Sequence, residues 1–422
     1  MSTIHGVLET ISSILKRFRY VERSDEVYVD LKYVLELLQG PLLALFQSTS
    51  AMATNPSCPP DAVKGMFESL RLMCRIFFSL NWLDLPEYFE DHMKEWMDEF
   101  AKFLSLNMPA LAVDEDEPEP GVVEKLQAAI IENINLYVDR DEETFQSPYL
   151  PNFTTLVWNL LMKVKPQANF DALTTTSIRF LSSIVSKKIH ESLFSAEETL
   201  RQIISKIVIP NIAVREVDIE QFEDDPAEYI LSDMEGSDSE TRRRCSINLL
   251  RAMCRQFEAQ TTAIVLEHLA SLLDNYARDQ TNNWGQKDAA ILLVLAVSVR
   301  KESNVGGVTE MNDKMNVIDF FTLHILPELQ EQNMALRPML KADAVKFVST
   351  FRNQFSTEQY LALFPLLINH LSSDSVVVHT YAAACVEKVL TVKTERNGKQ
   401  LKFGRAELKR KEGLLEALFG GL

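Results

Sequence analysis

Apolar residues along this chain recur at helical spacing from its first turn onward. Ile4, Val7, Leu8, Ile11, Leu15 and Phe18 fall on one stripe of a 3.6-residue period. That stripe predicts an amphipathic helix and lacks the layout of a secretory leader. From about Tyr149 one plan repeats: an amphipathic helix with a proline near one end, a polar interruption, then a helix rich in small and aliphatic residues. First members are expected over Tyr149 to Lys163, Leu200 to Ala213, Phe320 to Leu329 and Tyr360 to Leu371, the last three carrying Ile209-Pro210, Leu326-Pro327 and Phe364-Pro365. Second members are expected to begin near Arg243, Asp288, Asp343 and Thr380.

The mean spacing of these starts, about 46 residues, matches the ~40–47-residue period of HEAT and armadillo helix pairs. About nine such units would fill residues 1–422. The second helices carry the argument further than the period does. Ala289-Ala290-Ile291-Leu292-Leu293-Val294-Leu295 is apolar all round, so it has to be covered on several sides, as happens between stacked repeats. Tyr381-Ala382-Ala383-Ala384-Cys385 is small enough for close helix approach. The expected fold is therefore all-α, a single HEAT-repeat α-solenoid of antiparallel helix pairs. Upstream, Asp84-x-x-Glu87 resembles a capping box ahead of the stripe Phe89, Met93, Trp96, Phe100 and Phe103, which is expected to be core and not a cofactor pocket. With no polar capping repeat in evidence, the ends are expected to fray or self-associate.

Composition agrees. Hydrophobic residues make up 46% of the 422, while only 13 Gly and 16 Pro leave little for the frequent tight turns of a sandwich or barrel. Cys58, Cys74, Cys245, Cys254 and Cys385 are odd in number and scattered, which argues against a disulfide framework and for a reducing compartment, cytosol or nucleus. No apolar run reaches the ~20 residues that span a bilayer, so membrane insertion is not expected.

Charge changes the picture most. Residues Glu216 to Glu240 contain eleven carboxylates and no Lys or Arg, and Arg242, Arg243 and Arg244 follow at once. The run Asp114-Glu115-Asp116-Glu117-Pro118-Glu119-Pro120 adds five more. Together they hold sixteen of the sixty acidic residues, leaving forty-four acids against forty-three bases, so the net charge of −17 resides in two short segments. Charge concentrated on a neutral body steers and selects basic partners and repels nucleic acid. Solvated linkers lack apolar anchors, but the longer run carries Ile219, Phe222, Tyr229, Ile230, Leu231 and Met234, which marks 216–240 as a docking insert within a repeat. The run 114–120 lacks anchors and is expected to be an acidic loop. The arginines fan through about 200° on a helix, so they are expected to open a helix and neutralise the acidic segment before them, with a direct grip on a partner as the alternative.

Catalytic spacing is not found. There is no GxSxG, GxxxxGK[ST], GxGxxG or HExxH, and Gly306-Gly307 is expected to be a flexible loop. The seven histidines are dispersed, and His370 and His379 are spaced poorly for a metal. No enzyme, cofactor or metal is expected. An α/α-barrel enzyme would need acids and histidines within one cavity.

Several stretches resemble one family closely: Phe222-Glu223-Asp224-Asp225-Pro226-Ala227-Glu228-Tyr229-Ile230, then Glu235-Gly236-Ser237-Asp238 and Thr241-Arg242-Arg243-Arg244. In family order around them come Phe78-Ser79-Leu80-Asn81, Leu85-Pro86-Glu87-Tyr88-Phe89-Glu90-Asp91, Trp158-Asn159-Leu160-Leu161, Lys287-Asp288-Ala289-Ala290, His324-Ile325-Leu326-Pro327, Leu340-Lys341-Ala342-Asp343, Phe351-Arg352-Asn353-Gln354, and the stretches from Pro365 to Leu371 and Val377 to Ala383. The family is the importin-α re-exporters of the importin-β (karyopherin) superfamily. The resemblance implies a right-handed HEAT superhelix that binds importin-α with GTP-bound Ran, passes nucleoporins, shuttles between nucleus and cytoplasm, and itself hydrolyses nothing. It implies partner contacts at Glu223, Asp224, Asp225, Glu228, Asp233, Glu235 and Asp238, with Arg242, Arg243 and Arg244 beside them. Family members are roughly twice this length, so the chain is expected to correspond to the middle of the receptor. A general HEAT scaffold binding some other basic protein is the alternative.

Overall fold

The computed structural model describes residues 2–112, 117, 119–140, 145, 148–233, 240–303, 307–393 and 401–402. The chain divides into two compact units, Met1–Lys187 and Lys188–Leu422.

In the first unit α1 (Ser2–Leu15), α3 (Pro60–Leu80), α5 (Val122–Arg140) and α7 (Asp171–Val185) pack side by side in chain order. The first helices α2 (Asp25–Ala53), α4 (Met93–Ser105) and α6 (Leu150–Leu161) form the other layer. The helices α2/α3, α4/α5 and α6/α7 are the repeating pairs. Between the layers lies an aromatic core. Phe77 and Trp96 approach to 4.7 Å between ring centroids, and Phe46 stands edge-on to Phe100 and Phe103 at 6.1 and 6.3 Å. Phe89, Met93, Trp96, Phe100 and Phe103 are all buried. Side-chain amides stitch neighbouring second helices: Asn133 donates to the Cys74 carbonyl (3.1 Å) and Asn135 to that of Thr176 (3.3 Å). Such bonds keep buried polar groups satisfied and fix the register of the stack.

In the second unit Glu197–Gln202, Ile203–Val208 and Ile209–Ile212 run on as one first helix, α8. Then come α9 (Glu216–Asp224), α10 (Pro226–Asp233), α11 (Arg242–Arg278), α12 (Trp284–Val297), the hairpin β1 (Val299–Ser303) and β2 (Gly307–Met311), α13 (Val317–Phe320, running on through Leu326–Gln330), α14 (Pro338–Thr350), α15 (Thr357–Leu371) and α16 (Val376–Leu390). Helix α11 serves two repeats. At Phe257 its backbone leaves helical geometry (φ −129, ψ 45), so its first limb is a second helix and its second limb the next first helix. The prolines of the first helices have a visible effect. Ile203–Val208 and Phe321–Ile325 are π-helical turns ending just before Ile209-Pro210 and Leu326-Pro327, where the wider turn accommodates the missing N–H and the bulk of the ring.

Three expectations are corrected. Asp84 and Glu87 form no capping box; Pro86 precedes the short helix Glu87–Asp91, and the Asp84 carboxylate accepts from the Tyr28 hydroxyl. Gly307 belongs to a strand: with φ +69 it opens β2, and an added Cβ would lie 2.7 Å from the Thr350 carbonyl, so only glycine fits. Helices α12, α14 and α16 begin four to five residues earlier than expected, at Trp284, Pro338 and Val376. Their first turns therefore hold Lys287, Asp288 and Lys341, charged residues that are all buried.

Lys287 finds Glu328 at 2.7 Å and lies over the Tyr276 ring at 4.9 Å. Burial pushes the Lys287 ammonium down from its usual range against the pull of Glu328. Removing one member of such a pair strands the other. Glu328→Ala should destabilise the chain by about 3–5 kcal/mol, and Lys287→Met with Glu328→Leu should recover most of it, as read by urea unfolding; equal losses in both variants would contradict the pairing. At the other end of the chain, Ile4, Val7, Val29, Tyr33 and Leu37 are exposed, an apolar face of α1 and α2. Tyr33→Lys with Leu37→Lys should reduce concentration-dependent self-association in sedimentation velocity, and an unchanged profile would place that contact elsewhere.

Candidate functional site

The described part of the acidic run folds as the helical hairpin α9/α10, and the local sequence dictates it. Asp218 closes the first turn of α9 by accepting from the Arg215 backbone N–H (2.9 Å) and pairing with its guanidinium (3.0 Å). Asp225 leaves helical geometry, and its carboxylate accepts from Glu228 N at 3.2 Å, starting α10 at Pro226. Helical spacing then puts Ile219, Phe222, Tyr229 and Ile230 on one side. They pack with Trp284 and Val214 against Met339 and Ala342 of α14 and Val377, Val378 and Tyr381 of α16. Phe222 is buried and stands edge-on to Tyr229 at 5.0 Å.

The opposite side is a ridge of carboxylates. Glu216, Glu220, Glu223, Asp224, Asp225 and Glu228 are exposed, and apart from the Asp225 cap they make no ion pair among the described residues. Leu231, 60% exposed, adds an apolar point beside them. Asp233 faces inward: it meets Lys346 of α14 and the Tyr381 hydroxyl of α16, each at 2.5 Å, latching the end of α10 to the scaffold. Glu235 and Asp238 lie outside the described residues, as do Asp114, Glu115 and Asp116; Glu119 of the shorter run pairs with Lys125 at 3.4 Å.

Under the insert lies a polar cluster that sequence reasoning missed. Arg243 meets both oxygens of Asp288 at 2.6 and 2.7 Å, and Asp343 of α14 hydrogen-bonds to Asp288. Burial opposes the charge on Arg243, yet the Asp288 carboxylate holds its pKa well above the usual range. Burial and then the Asp288 charge push Asp343 well above the carboxylate range. Arg243 and Lys346 pull the other way, and burial beside Asp288 outweighs them, so of the two acids Asp343 is the one whose neutral form is favoured. Burial likewise raises the Tyr229 phenol above the cluster. The signal was available in Lys287-Asp288 and Lys341-x-Asp343, charges set within otherwise apolar helices.

The arginines open α11, capped by Thr241, whose hydroxyl accepts from Arg244 N at 3.2 Å. The expected pairing with the acidic segment is not what Arg243 does; its counter-charge is Asp288. Arg242 is buried and donates to Asn211 at 3.4 Å, while Arg244 donates to the Ser232 carbonyl at 3.3 Å, tying α11 to the insert. Between insert and β-hairpin an open cleft of about 230 Å³ is floored by Ile247, Leu292 and Leu295, with the Arg251–Glu302 pair (3.4 Å) on its far side. Among the described residues no cluster of His, Cys, Asp or Glu could hold a metal, and no helix is long and apolar enough to cross a membrane. The cysteines are free thiols.

The Cse1 family model matches residues 14–386. Exportin-2 of Homo sapiens is 40% identical over 394 residues, and that of Oreochromis niloticus 41%; in both cases the match covers 93% of this chain and 40% of the relative. The chain thus spans about two fifths of the length of these curated relatives. The structure of the exportin Cse1 in its cargo-free, cytoplasmic state matches with a TM-score of 0.85 at 36% identity, covering 92% of this chain and 42% of that one. Lph2, a bidirectional nuclear transport receptor of S. cerevisiae, matches with a TM-score of 0.66 at 16% identity over 99% of this chain and 42% of its own, a likeness of fold alone. The helix pairs described above are thus the HEAT-repeat fold of the exportins.

The raised Asp343 pKa has a measurable consequence. Because the Asp343 pKa is raised on folding, the folded chain holds a proton that the unfolded chain releases above about pH 4. Stability from this group is full below that pH and falls as pH rises towards the folded value. Asp343→Asn keeps a donor towards Asp288 and should remove that slope, so the difference in urea midpoint between variant and parent should grow in the variant's favour from pH 5 to about pH 8. A pH-independent difference would show that Asp343 is not the proton's seat.

Proposed function

This chain belongs to the Cse1 family, and on that premise we propose that it acts as a karyopherin-type nuclear export receptor, taking up importin-α together with GTP-bound Ran in the nucleus. The complex passes the pore in contact with nucleoporins and comes apart in the cytoplasm after Ran hydrolyses its GTP. The receptor binds and does no chemistry, so its residues act through shape and charge.

One observation carries the reading: Glu223, Asp224, Asp225 and Glu228 stand exposed on a helical hairpin that is docked through Phe222 and Tyr229 and latched through Asp233. Carboxylates without internal counter-ions attract a basic surface over a distance and select its orientation on contact. Docking fixes the ridge in place, so less entropy is lost when a partner arrives. Both partners would favour the same arrangement of helix pairs, and two ligands selecting one conformation strengthen each other by typically about 1 to 3 kcal/mol, reciprocally. Arg243 and Arg244 support the insert from below, and Asp233 anchors it; their part is positioning.

Replacing Glu223, Asp224, Asp225 and Glu228 by Ser should weaken the ternary complex with importin-α and GTP-loaded Ran roughly ten-fold at low salt and flatten its salt dependence. Helical content should stay, because the serine hydroxyl that takes the place of the Asp225 carboxylate can still cap α10. Affinity and salt slope at parental values would make the insert a spacer. Capture that does not distinguish GTP-loaded from GDP-loaded Ran would favour a general scaffold.

A further inference from the structure

The first unit carries a surface of opposite character. At the carboxy-terminal ends of α3 and α5, guanidinium groups flank a pair of aromatic rings in a strip. Arg19 lies over the Phe78 ring at 4.7 Å, Phe78 meets Trp82 at 5.3 Å, and Arg140 lies over Trp82 at 4.8 Å. Arg140 and Arg23 both donate to the Leu83 carbonyl, at 3.0 and 2.7 Å, and Arg19 donates to the Arg75 carbonyl at 2.9 Å. Counter-charge is partial: Glu132 acts on Arg19, and Asp84 and Asp139 act on Arg140, none of them within ion-pair distance. Arg23 has Asp84 at 3.5 Å, with its own side chain 61% exposed. Arg19, Arg75 and Arg140 make no ion pair among the described residues. Burial and then the neighbouring arginine lower the pKa of Arg19 and of Arg140, Arg75 acting on the first and Arg23 on the second. On a chain of net charge −17, crowded arginines of this kind are unusual.

We infer that the strip formed by Arg19, Arg23, Arg75, Phe78, Trp82 and Arg140 is a docking surface for an Asp/Glu-rich segment of a protein partner. Stacking and the carbonyl contacts fix each guanidinium plane, and the N–H donors left over can meet a carboxylate with little further ordering. The rings give the partner's aliphatic stems an apolar bed. A long polyanion such as nucleic acid would also feel the chain's overall negative field and be repelled, whereas a short acidic segment would not. Glu119, which pairs with Lys125 near the start of α5, is separated from the strip by most of that helix's 19 residues, roughly 27 Å, so it is not the occupant. This inference does not rest on the export reading, which concerns the acidic insert of the other unit.

The test is fluorescence anisotropy of labelled N-acetyl-hexaglutamate titrated with the whole chain, beside labelled hexalysine and oligothymidylate. Hexaglutamate should bind in a salt-sensitive manner, and Arg23→Gln with Arg140→Gln should weaken it by at least about ten-fold, while Arg300→Gln, whose side chain pairs elsewhere with Glu258, should not. Because Arg23 and Arg140 also cap a carbonyl, amide exchange on the unaltered chain supplies a second readout: hexaglutamate should protect residues around 16–23, 75–84 and 136–140. Unchanged affinity in the double variant, protection elsewhere or nowhere, or oligothymidylate binding as tightly as hexaglutamate would each overturn the assignment.

Discussion

A helix that is apolar on every side has to be covered on every side, and α12 is such a helix. From Lys287 to Val297 every residue is buried. Its neighbours α11 and α14 flank it, the first helices close one face, and the hairpin β1/β2 and the insert close what remains. The charges in its first turn are consequences of that enclosure. Lys287 and Asp288 point to different neighbours and find Glu328 and Arg243. Each pair joins consecutive repeats through a group that cannot be left alone in a low-dielectric interior. Apolar packing sets the distance between repeats; these ion pairs set their register.

The same enclosure separates two kinds of acid in the insert. Asp233 lies among partners, Lys346 and Tyr381, and holds the hairpin α9/α10 down. Glu223, Asp224, Asp225 and Glu228 lie on the far side of the same short helices, where helical periodicity puts them once Phe222 and Tyr229 face inward. A strongly acidic segment can therefore be ordered without being neutralised. That combination lets a surface be both rigid and attractive to a basic visitor.

Charge on this protein is thus distributed by repeat and not averaged over the chain. The second unit presents acids over a buried arginine; the first presents arginines over aromatic rings. In each case the ordering element is apolar, Phe222 and Tyr229 in one and Phe78 and Trp82 in the other, and the charged groups are borne outward on it.

The sequence by itself determined the helix pairs and where the charge is concentrated. Period-3.6 stripes and a repeat of one helix pair are local signals, and a run such as Ala289 to Leu295 has no stable alternative to burial between helices. Proline positions were legible, but their π-helical consequence before Pro210 and Pro327 was not, since it depends on how a helix already packed on its neighbours absorbs a missing donor. Tertiary structure alone decided that Arg243 turns away from the acids beside it to Asp288, forty-five residues on, and that burial beside Asp288 raises the Asp343 pKa. It also decided that Gly307 sits in a strand against Thr350, and that Asp233 anchors while Asp224 stays open. Each of these is a choice among partners brought together by the stacking of repeats, and spacing along a chain cannot rank partners that only packing makes neighbours.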